Sequence, residues 1–394
     1  MQNVAQSWLV LQLTGSALLL GLLGTLQFGP ILLFSLLAGA MADRLPRRPL
    51  LITTQALLGC QALLLGVLTL TGWVQYWHVA VLGFVVGLAQ TIDGPARQAL
   101  VTGLVGRTDV SSAIALNSAS FNGARIVGPA VAGLLIAALG SGVPATGAVI
   151  IVNALSYTAV ILSLQRMRDS ELNRAKPAAR TKGMIRDGVR YVWQRPDLML
   201  VLTIVFFAGT FGLNFQITSA LMATEVFHKG AGEYGLLGTT LAIGSLSGAL
   251  LAARRGRIRH RLVILAAVGF GLAEVVAGSM PSYAAFALWT PLLGIASLTM
   301  ITSANATFQM SVAPEMRGRV MALYMMIFMG GTPVGAPIVG WVGETFGARW
   351  TLIGGGVVTI LGTMFAVLVF SRAKGLIGQA RPAGAAGEVV AGRA

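Results

Sequence analysis

The sequence predicts an all-α membrane protein made of two pseudo-symmetric six-helix bundles, and three observations carry that prediction. The first is composition. Of 394 residues, 55% are hydrophobic and only 10% charged, with a mean hydropathy of +0.78, whereas a soluble domain carries about 25% charged residues. A chain so poor in charge cannot cover itself for water, so its solvent is lipid. The second is the length and spacing of the apolar runs, and the third is an internal repeat.

A membrane-crossing helix needs about 20 consecutive apolar residues. Runs of that length lie at 17–42, 49–70, 78–97, 112–139, 146–165, 198–222, 234–253, 262–280, 284–310, 319–342 and 351–371. Ahead of them stands residues 1–13, a run too short to cross. The longest polar stretch, 166–197, divides the chain near its middle. Within it, Met184 to Pro196 places apolar residues at helical spacing among Arg186, Arg190 and Arg195, the pattern of an interfacial amphipathic helix. The tail after residue 371 is rich in Gly and Ala and reads as disordered. The expected organisation is therefore an N-terminal bundle at 1–165, a linker at 166–197, a C-terminal bundle at 198–371 and a tail at 372–394.

The turns alternate in charge. One set holds nearly all the cations, from Arg44, Arg47 and Arg48 to Arg317, Arg319 and Arg372, while the other holds only Lys229 and Arg349. The positive-inside rule places the first set, with the C-terminal tail, in the cytoplasm of a multi-pass protein of the cell inner membrane. The net charge of +15 is thereby explained by topology, and a nucleic-acid partner is excluded, because the cations sit in short turns between apolar runs. The lone cysteine, Cys60, forms no internal disulfide, and the three histidines, His78, His228 and His260, are far apart in the sequence. No metal-spaced cluster and no P-loop is present. An enzyme, a cofactor and an ATP-driven mechanism are accordingly not expected.

The repeat appears when residue n is compared with residue n+207. Gly87 meets Gly294, Ala115-Leu116 meets Ala322-Leu323, Val127-Gly128 meets Val334-Gly335, and Gly133 meets Gly340. In the charged turn Arg47-Arg48 meets Arg254-Arg255, and no gap is needed. Two copies of one six-helix unit form a transporter signature. Subtracting the same offset from Asp197, where the second half opens, places the start of the matching helix ahead of Met1. The first helix is therefore expected to be truncated at the N-terminus by about 10 helical residues, or three turns.

These features resemble the major facilitator superfamily. The stretch Gly39-Ala40-Met41-Ala42-Asp43-Arg44-Leu45-Pro46-Arg47-Arg48 is similar to the signature turn G-x-x-x-D-R-x-G-R-R between the second and third helices, with Pro46 in place of a glycine. The stretches "VAQSWLVLQLTGSALLLG", "DGPARQAL", "ALNSASFNGARIVGPAVAG" and "VAPEMRGRVMAL" resemble the branch that holds the enterobactin exporter and macrolide efflux proteins. That resemblance implies export of a small siderophore-like or drug-like molecule by alternating access, commonly as proton antiport, by a monomer in the lipid bilayer. An importer or a non-transporting sensor of the same fold remains open. Counting residues 1–13 as the first span, the fifth partly matches the antiporter motif G-x-x-x-G-P-x-x-G-G through Gly128-Pro129 and Gly133, with Ala124 and Ala132 at glycine positions.

The resemblance assigns the charged turn a latching role. Asp43 is expected to cap the start of the eleventh span near Arg317 and Arg319, with Arg44 and Arg48 pairing to acids at the end of the fourth span, Asp93 foremost. Asp93 also stands four residues before Arg97, a spacing that allows a local ion pair. Arg125 is the only cation inside a span. A mid-membrane arginine costs about 3 kcal/mol on insertion scales, so it is expected to face a polar cavity, with Asn117 and Asn122 on the same face. Its role there is to bind a polar or anionic substrate or to tune a neighbouring acid. Gln2, Gln6, Asn214, Gln216, Asn305 and Gln309 are expected to add neutral polar groups to that cavity, with Trp8, Phe211 and Phe215 as apolar contacts. Gly128, Pro129, Gly133, Gly335 and Gly340 read as kink and close-packing positions. Glu274, near the middle of its span, reads as a structural or protonated acid.

Overall fold

The computed structural model describes residues 1–105, 108–167, 184–253, 260–313 and 316–370, with the side chains of Leu36, Ala40, Ala42, Asp43, Arg44, Thr102, Met184, Ile185 and Ala253 outside that description. The elements are α1 Gln2–Thr14, α2 Ala17–Arg44, α3 Arg47–Leu70, α4 Tyr76–Gly103, α5 Val110–Ala138, α6 Val143–Arg166, α7 Met184–Trp193, α8 Pro196–Phe207, α9 Phe215–Leu221, α10 Ala231–Ala253, α11 His260–Gly278, α12 Tyr283–Ser311, α13 Arg317–Phe346 and α14 Ala348–Phe370. Eleven spans among the described residues are long and apolar enough to cross a membrane. One of them, Pro196–Val226, is composite. Here α8 passes into a π-helical turn, Ala208–Gly212, breaks at Leu213 and Asn214, and resumes as α9.

Local chemistry sets the helix ends. Ser16 and Ser282 cap α2 and α12 by accepting the amides of Leu19 and Ala285. Gly15 ends α1 at φ 60, and Gly347 turns between α13 and α14 at φ 93, both left-handed positions that suit glycine. Pro196 stands in the first turn of α8, where the amide it lacks has no helical partner anyway.

Within the N-terminal bundle α3 packs on α6 and α4, and α2 on α4. In the C-terminal bundle α10 packs on α12, and α11 on α14 and α12. The two bundles repeat one another contact by contact. Gly87 of α4 lies against the Gln27 carbonyl of α2, and Gly294 of α12 lies against the Leu241 carbonyl of α10. Gly87 and Gly294 keep the expected offset of 207, but Gln27 and Leu241 are 214 apart. The ungapped repeat is therefore corrected at α2 and α10. Their register differs by seven residues, about two helical turns, so the same face is presented and the contact survives. Arg254 and Arg255, matched in the sequence to Arg47 and Arg48, lie outside the described residues.

Two seams join the bundles, and they are equivalent under the repeat. On one, Ala336 and Gly340 of α13 lie against Gly21 and Ala17 of α2; on the other, Pro129 and Gly133 of α5 lie against Gly235 and Ala231 of α10. In both, the missing Cβ of glycine lets the backbones touch. The seams are tight at the end of the bundles opposite the arginine-rich turns, and they part toward the arginine-rich end. On α13, Ala336 is fully buried, yet Met329 and Met326, about two turns down the seam face from Ala336 and Pro333, are 41% and 37% exposed. On α2, Ser35, which shares the helix face of Ala17 and Gly24, is likewise exposed, beyond the contact of Leu32 with Gly330. The fold thus encloses a cleft sealed at one end and open at the other.

The linker helix α7 lies on the start of α13, with Val192 buried and Trp193 exposed. Asp187 accepts a hydrogen bond from Arg319 at 2.9 Å. At the start of α8, Arg195 grips Asp197 through two bonds of 2.8 and 2.6 Å and reaches the Ser311 carbonyl of α12 at 3.1 Å. The hydrogen bond to Asp197 holds its guanidinium above the ordinary arginine range, so the clamp stays charged.

Candidate functional site

The cleft has a roof, two walls and an open mouth. Its roof lies at the seams, where α1 meets α9. Gln216 of α9 donates to Ser7 Oγ of α1 at 2.7 Å, and Tyr234 of α10 donates to the Gln216 carbonyl at 3.3 Å. Trp8 stacks on Tyr234 with ring centroids 6.4 Å apart. The edge of Trp8 also borders a pocket of about 230 Å3 on the sealed side, shared with Leu11, Gln12, Gly15, Thr224 and Glu225. Trp8 is thus a roof member, buried to 8% exposure.

Arg125 stands on the inward face of α5 below that roof. Ala132 and Ile136, two and three turns along the same face, are fully buried, while the exposed Leu116, Val127 and Leu134 occupy the opposite face. Arg125 is itself exposed, so its charge opens into the cleft between the bundles. Asn117 and Asn122 flank it, both half-buried, and Asn122 donates to the Ser118 carbonyl at 2.8 Å. Gly128, one turn on, faces the start of α1, while Pro129 and Gly133 continue into the seam. Pro129 lies inside a continuous helix, and its carbonyl packs on Gly235.

Several predicted cavity residues lie elsewhere. Gln6 is fully buried in the N-terminal bundle, where its Oε1 accepts from Gln27 at 2.7 Å. Gln2 accepts from Asn153 at 3.0 Å in the same interior. The oxygen of each amide finds a partner across α1, α2 and α6, and both side chains are buried inside the N-terminal bundle. Asn214 is 3% exposed and donates to the Thr210 carbonyl at 2.8 Å, bridging the break in its own span. Phe215 sets its ring edge-on to Phe270 at 6.0 Å, inside the C-terminal bundle. Gly335 packs against the Thr210 carbonyl, so it joins α13 to the π-helical turn.

The described part of the charged turn ties helix ends together. Asp43 and Arg44 have side chains outside the described residues. Arg48 donates to the carbonyls of Leu164 and Gln165 at 2.7 and 2.6 Å, and Arg47 to that of Ala99 at 3.0 Å. They tie the start of α3 to the ends of α6 and α4, where helix carbonyls lack partners. Among the described residues Asp93 accepts from Thr54 at 2.9 Å, Gln55 at 2.7 Å and Arg97 at 2.8 Å, forming the local ion pair. Arg319 is taken by Asp187, Arg317 is exposed, and Gly39 is half-buried near the end of α2.

Two features were missed in the sequence. Met325, Met326 and Met329 are all exposed at the open half of α13. Their signal was "MMIFM", whose helical spacing resembles that of any lipid-facing run. Glu344, which reads as a solvated turn acid, accepts from Ser16 Oγ at 2.6 Å and from the Leu18 amide at 2.9 Å, crossing from α13 to the start of α2. Among the described residues no group of three or more His, Cys, Asp or Glu gathers in a way that could hold a metal ion. The groups the cleft offers, one cation, two amides and a thioether surface, are suited to binding rather than to bond-breaking.

The family described as transmembrane secretion effector, of the major facilitator superfamily, matches residues 1–375. The chain belongs to that family. Its relatives include the multidrug efflux pump Tap of Mycolicibacterium fortuitum, 29% identical over 89% of this chain and 87% of that one. Macrolide efflux protein A of Streptococcus pyogenes is 22% identical over 87% and 85%. Among solved structures, the fold is shared with a bacterial homolog of the human lysosomal transporter Spinster in an inward-facing and occupied conformation. That likeness has a TM-score of 0.70 at 16% identity, over 94% of each chain. This member of the secretion effector family is thus a multi-pass transporter, and the superfamily fold accounts for its two bundles and the cleft between them.

Proposed function

We propose that the protein is a secondary active exporter of a small amphiphilic molecule, drug-like or siderophore-like, working by alternating access as a proton antiporter. The arginine-rich end is the cytoplasmic one, so the cleft is open inward, and the C-terminal tail lies in the cytoplasm of the inner-membrane protein. The working unit is a monomer of two rocking bundles, 1–165 and 198–371, joined by the linker 166–197. The observation that carries this reading is the pair of equivalent seams, closed at one end only, around a cleft that holds Arg125. The apolar part of a substrate packs on the methionine face, whose flexible thioethers adapt to varied shapes. Its polar or anionic part is held by Arg125 with Asn117 and Asn122. The efflux relatives favour the outward direction.

The experiment is flux in proteoliposomes with three probes of different charge, namely ethidium, erythromycin and a citrate-based siderophore, with and without an imposed pH gradient. At least one probe is expected to accumulate against its gradient only when the pH gradient is present. Gradient-independent flux would remove proton coupling. Arg125→Ala is expected to lower that flux about tenfold or more, the loss of one hydrogen bond to a charged group, while the purified protein stays folded. Wild-type flux in the variant would return Arg125 to a structural role.

A further inference from the structure

One buried acid has no part in the cleft. Glu274 lies four residues before the end of α11, at the sealed end of the C-terminal bundle, and is 1% exposed. Its Oε2 is buried with no hydrogen-bond partner among the described residues. The groups around it are unusual for an acid. A Cβ on Gly212 would lie 2.9 Å from Oε2, and one on Gly355 would lie 3.7 Å from it. A Cβ on Gly356 would lie 3.0 Å from the Glu274 Cβ. The carboxyl therefore fills space left by side chains absent from two facing helices, with Phe270 one turn below it.

Among the described residues, the elements packed against α11 bring no counter-charge. Neither α8 nor the π-helical turn nor α12 presents a charged side chain there, since Asp197 is at the far end of α8 and is held by Arg195. Tyr283, at the start of α12, donates to the Glu233 carbonyl. On α14, Arg349 donates to the carbonyls of Gly278 and Met280 at 2.9 and 2.8 Å. A hydrated or multiply coordinated cation needs several oxygen ligands and room for them, and this seat is walled by glycine backbone and phenylalanine. A proton needs neither.

Gly212, the residue behind which Glu274 sits, closes the π-helical turn just before the break at Leu213 and Asn214. Such turns are frequent at functional sites. Two further buried polar atoms at the same break, Thr210 Oγ1 and Asn214 Oδ1, also lack partners among the described residues. On the other side of the turn the Thr210 carbonyl packs on Gly335 of α13, and α13 carries Ala336 and Gly340, the seam contacts to α2. A single contact chain thus runs from Glu274 through Gly212 and Thr210 to the seam.

We propose that Glu274 is a proton-binding site of the C-terminal bundle, and that its loading sets the geometry of the break in the Pro196–Val226 span and, through Gly335, the closure of the α2–α13 seam. One proton from bulk water joins the carboxylate to give the carboxylic acid, and the same proton leaves to water when the seam reverses. The site rests on the exporter reading for its purpose, but its occupancy is measurable without transport.

The test uses the full chain and Glu274→Gln, which keeps the shape of the acid form. Infrared difference spectra between acid and alkaline buffer are expected to show a carboxylic-acid C=O band in wild type that is missing in Glu274→Gln. In proteoliposomes the variant is expected to keep counterflow of whichever of ethidium, erythromycin and the citrate-based siderophore wild type carries, while its gradient-driven accumulation falls to the passive level. Identical spectra, or wild-type accumulation in Glu274→Gln, would overturn the site and leave the exporter reading standing. Loss of counterflow together with accumulation would assign Glu274 a structural role, and would equally overturn it. If wild type itself shows no dependence on the gradient, the antiport reading fails first and the coupling role fails with it.

Discussion

Glu344 ends α13 and caps a helix that it does not belong to. Its carboxylate takes the Ser16 hydroxyl and the Leu18 amide at the start of α2, an N-terminus whose dipole and free amides favour an anion. The contact holds the sealed end shut and must break if that end opens, so it is a latch made by one residue. Asp43 is expected from the sequence to do the same at the opposite end of α2, for the start of α13, which would give the helix pair one acid latch at each end. Glu344→Gln keeps the size and one acceptor, whereas Glu344→Ala removes both acceptors. Maleimide labelling of a cysteine at Leu139, on the sealed end, is expected to speed up severalfold in Glu344→Ala and less in Glu344→Gln. Unchanged rates in both would show that the glycine seams alone set the closure. Arg125 was legible in the sequence because a lone charge inside an apolar run has few places to go. Glu344 was not, because the helix start it caps is more than 300 residues away.

At the scale of elements, the seams depend on the absence of side chains. A Cβ on Gly335 would overlap the Thr210 carbonyl oxygen, a backbone atom that cannot swing aside. Gly354 has open space around its missing Cβ. Gly335→Ala is therefore expected to destabilise the purified protein by about 1–3 kcal/mol, the range for overpacking, while Gly354→Ala is neutral or slightly stabilising because alanine favours a helix interior. Thermal melts of the two variants check this, and equal melting temperatures would argue that α13 and the π-helical turn have slack between them. The same glycines explain what could be read beforehand. Hydropathy alone marked the eleven spans, and the α5–α13 repeat was visible because Val127, Gly128 and Gly133 keep one offset with Val334, Gly335 and Gly340. The seven-residue slip of α10 was not visible, since two whole turns preserve the face and leave the small-residue pattern looking continuous. The break after Gly212 was likewise hidden inside an unbroken apolar run. Gln6 and Asn214 were placed in the cleft because a polar residue in a membrane helix suggests a cavity. Partners such as Gln27 and the Thr210 carbonyl, which each engage one atom of these amides inside a bundle, are apparent only once the helices are packed.

The whole molecule is a pair of bundles in contact at one end. Because the two seams are equivalent under the repeat, neither can open alone without twisting a bundle, so the alternating access proposed above is expected to take the form of a rigid rock about the roof formed by Ser7, Gln216 and Tyr234. That motion makes opposite demands on the two ends. Spin labels at Ser35 of α2 and Met325 of α13 lie on the parted half of one seam, where both side chains are exposed. Labels at Leu139 and Lys229 lie across the sealed end, beyond the α5–α10 seam. Conditions that favour the other state, an acid outer buffer or a latch variant such as Glu344→Ala, are expected to shorten the first distance and lengthen the second in the same sample. The two changes should keep a fixed proportion across conditions, because a rigid lever moves both ends at once. If the first distance shortened while the second stayed constant, the helices would be bending locally at Gly212 or Pro129, and the equivalence of the seams would be a packing feature without a mechanical role.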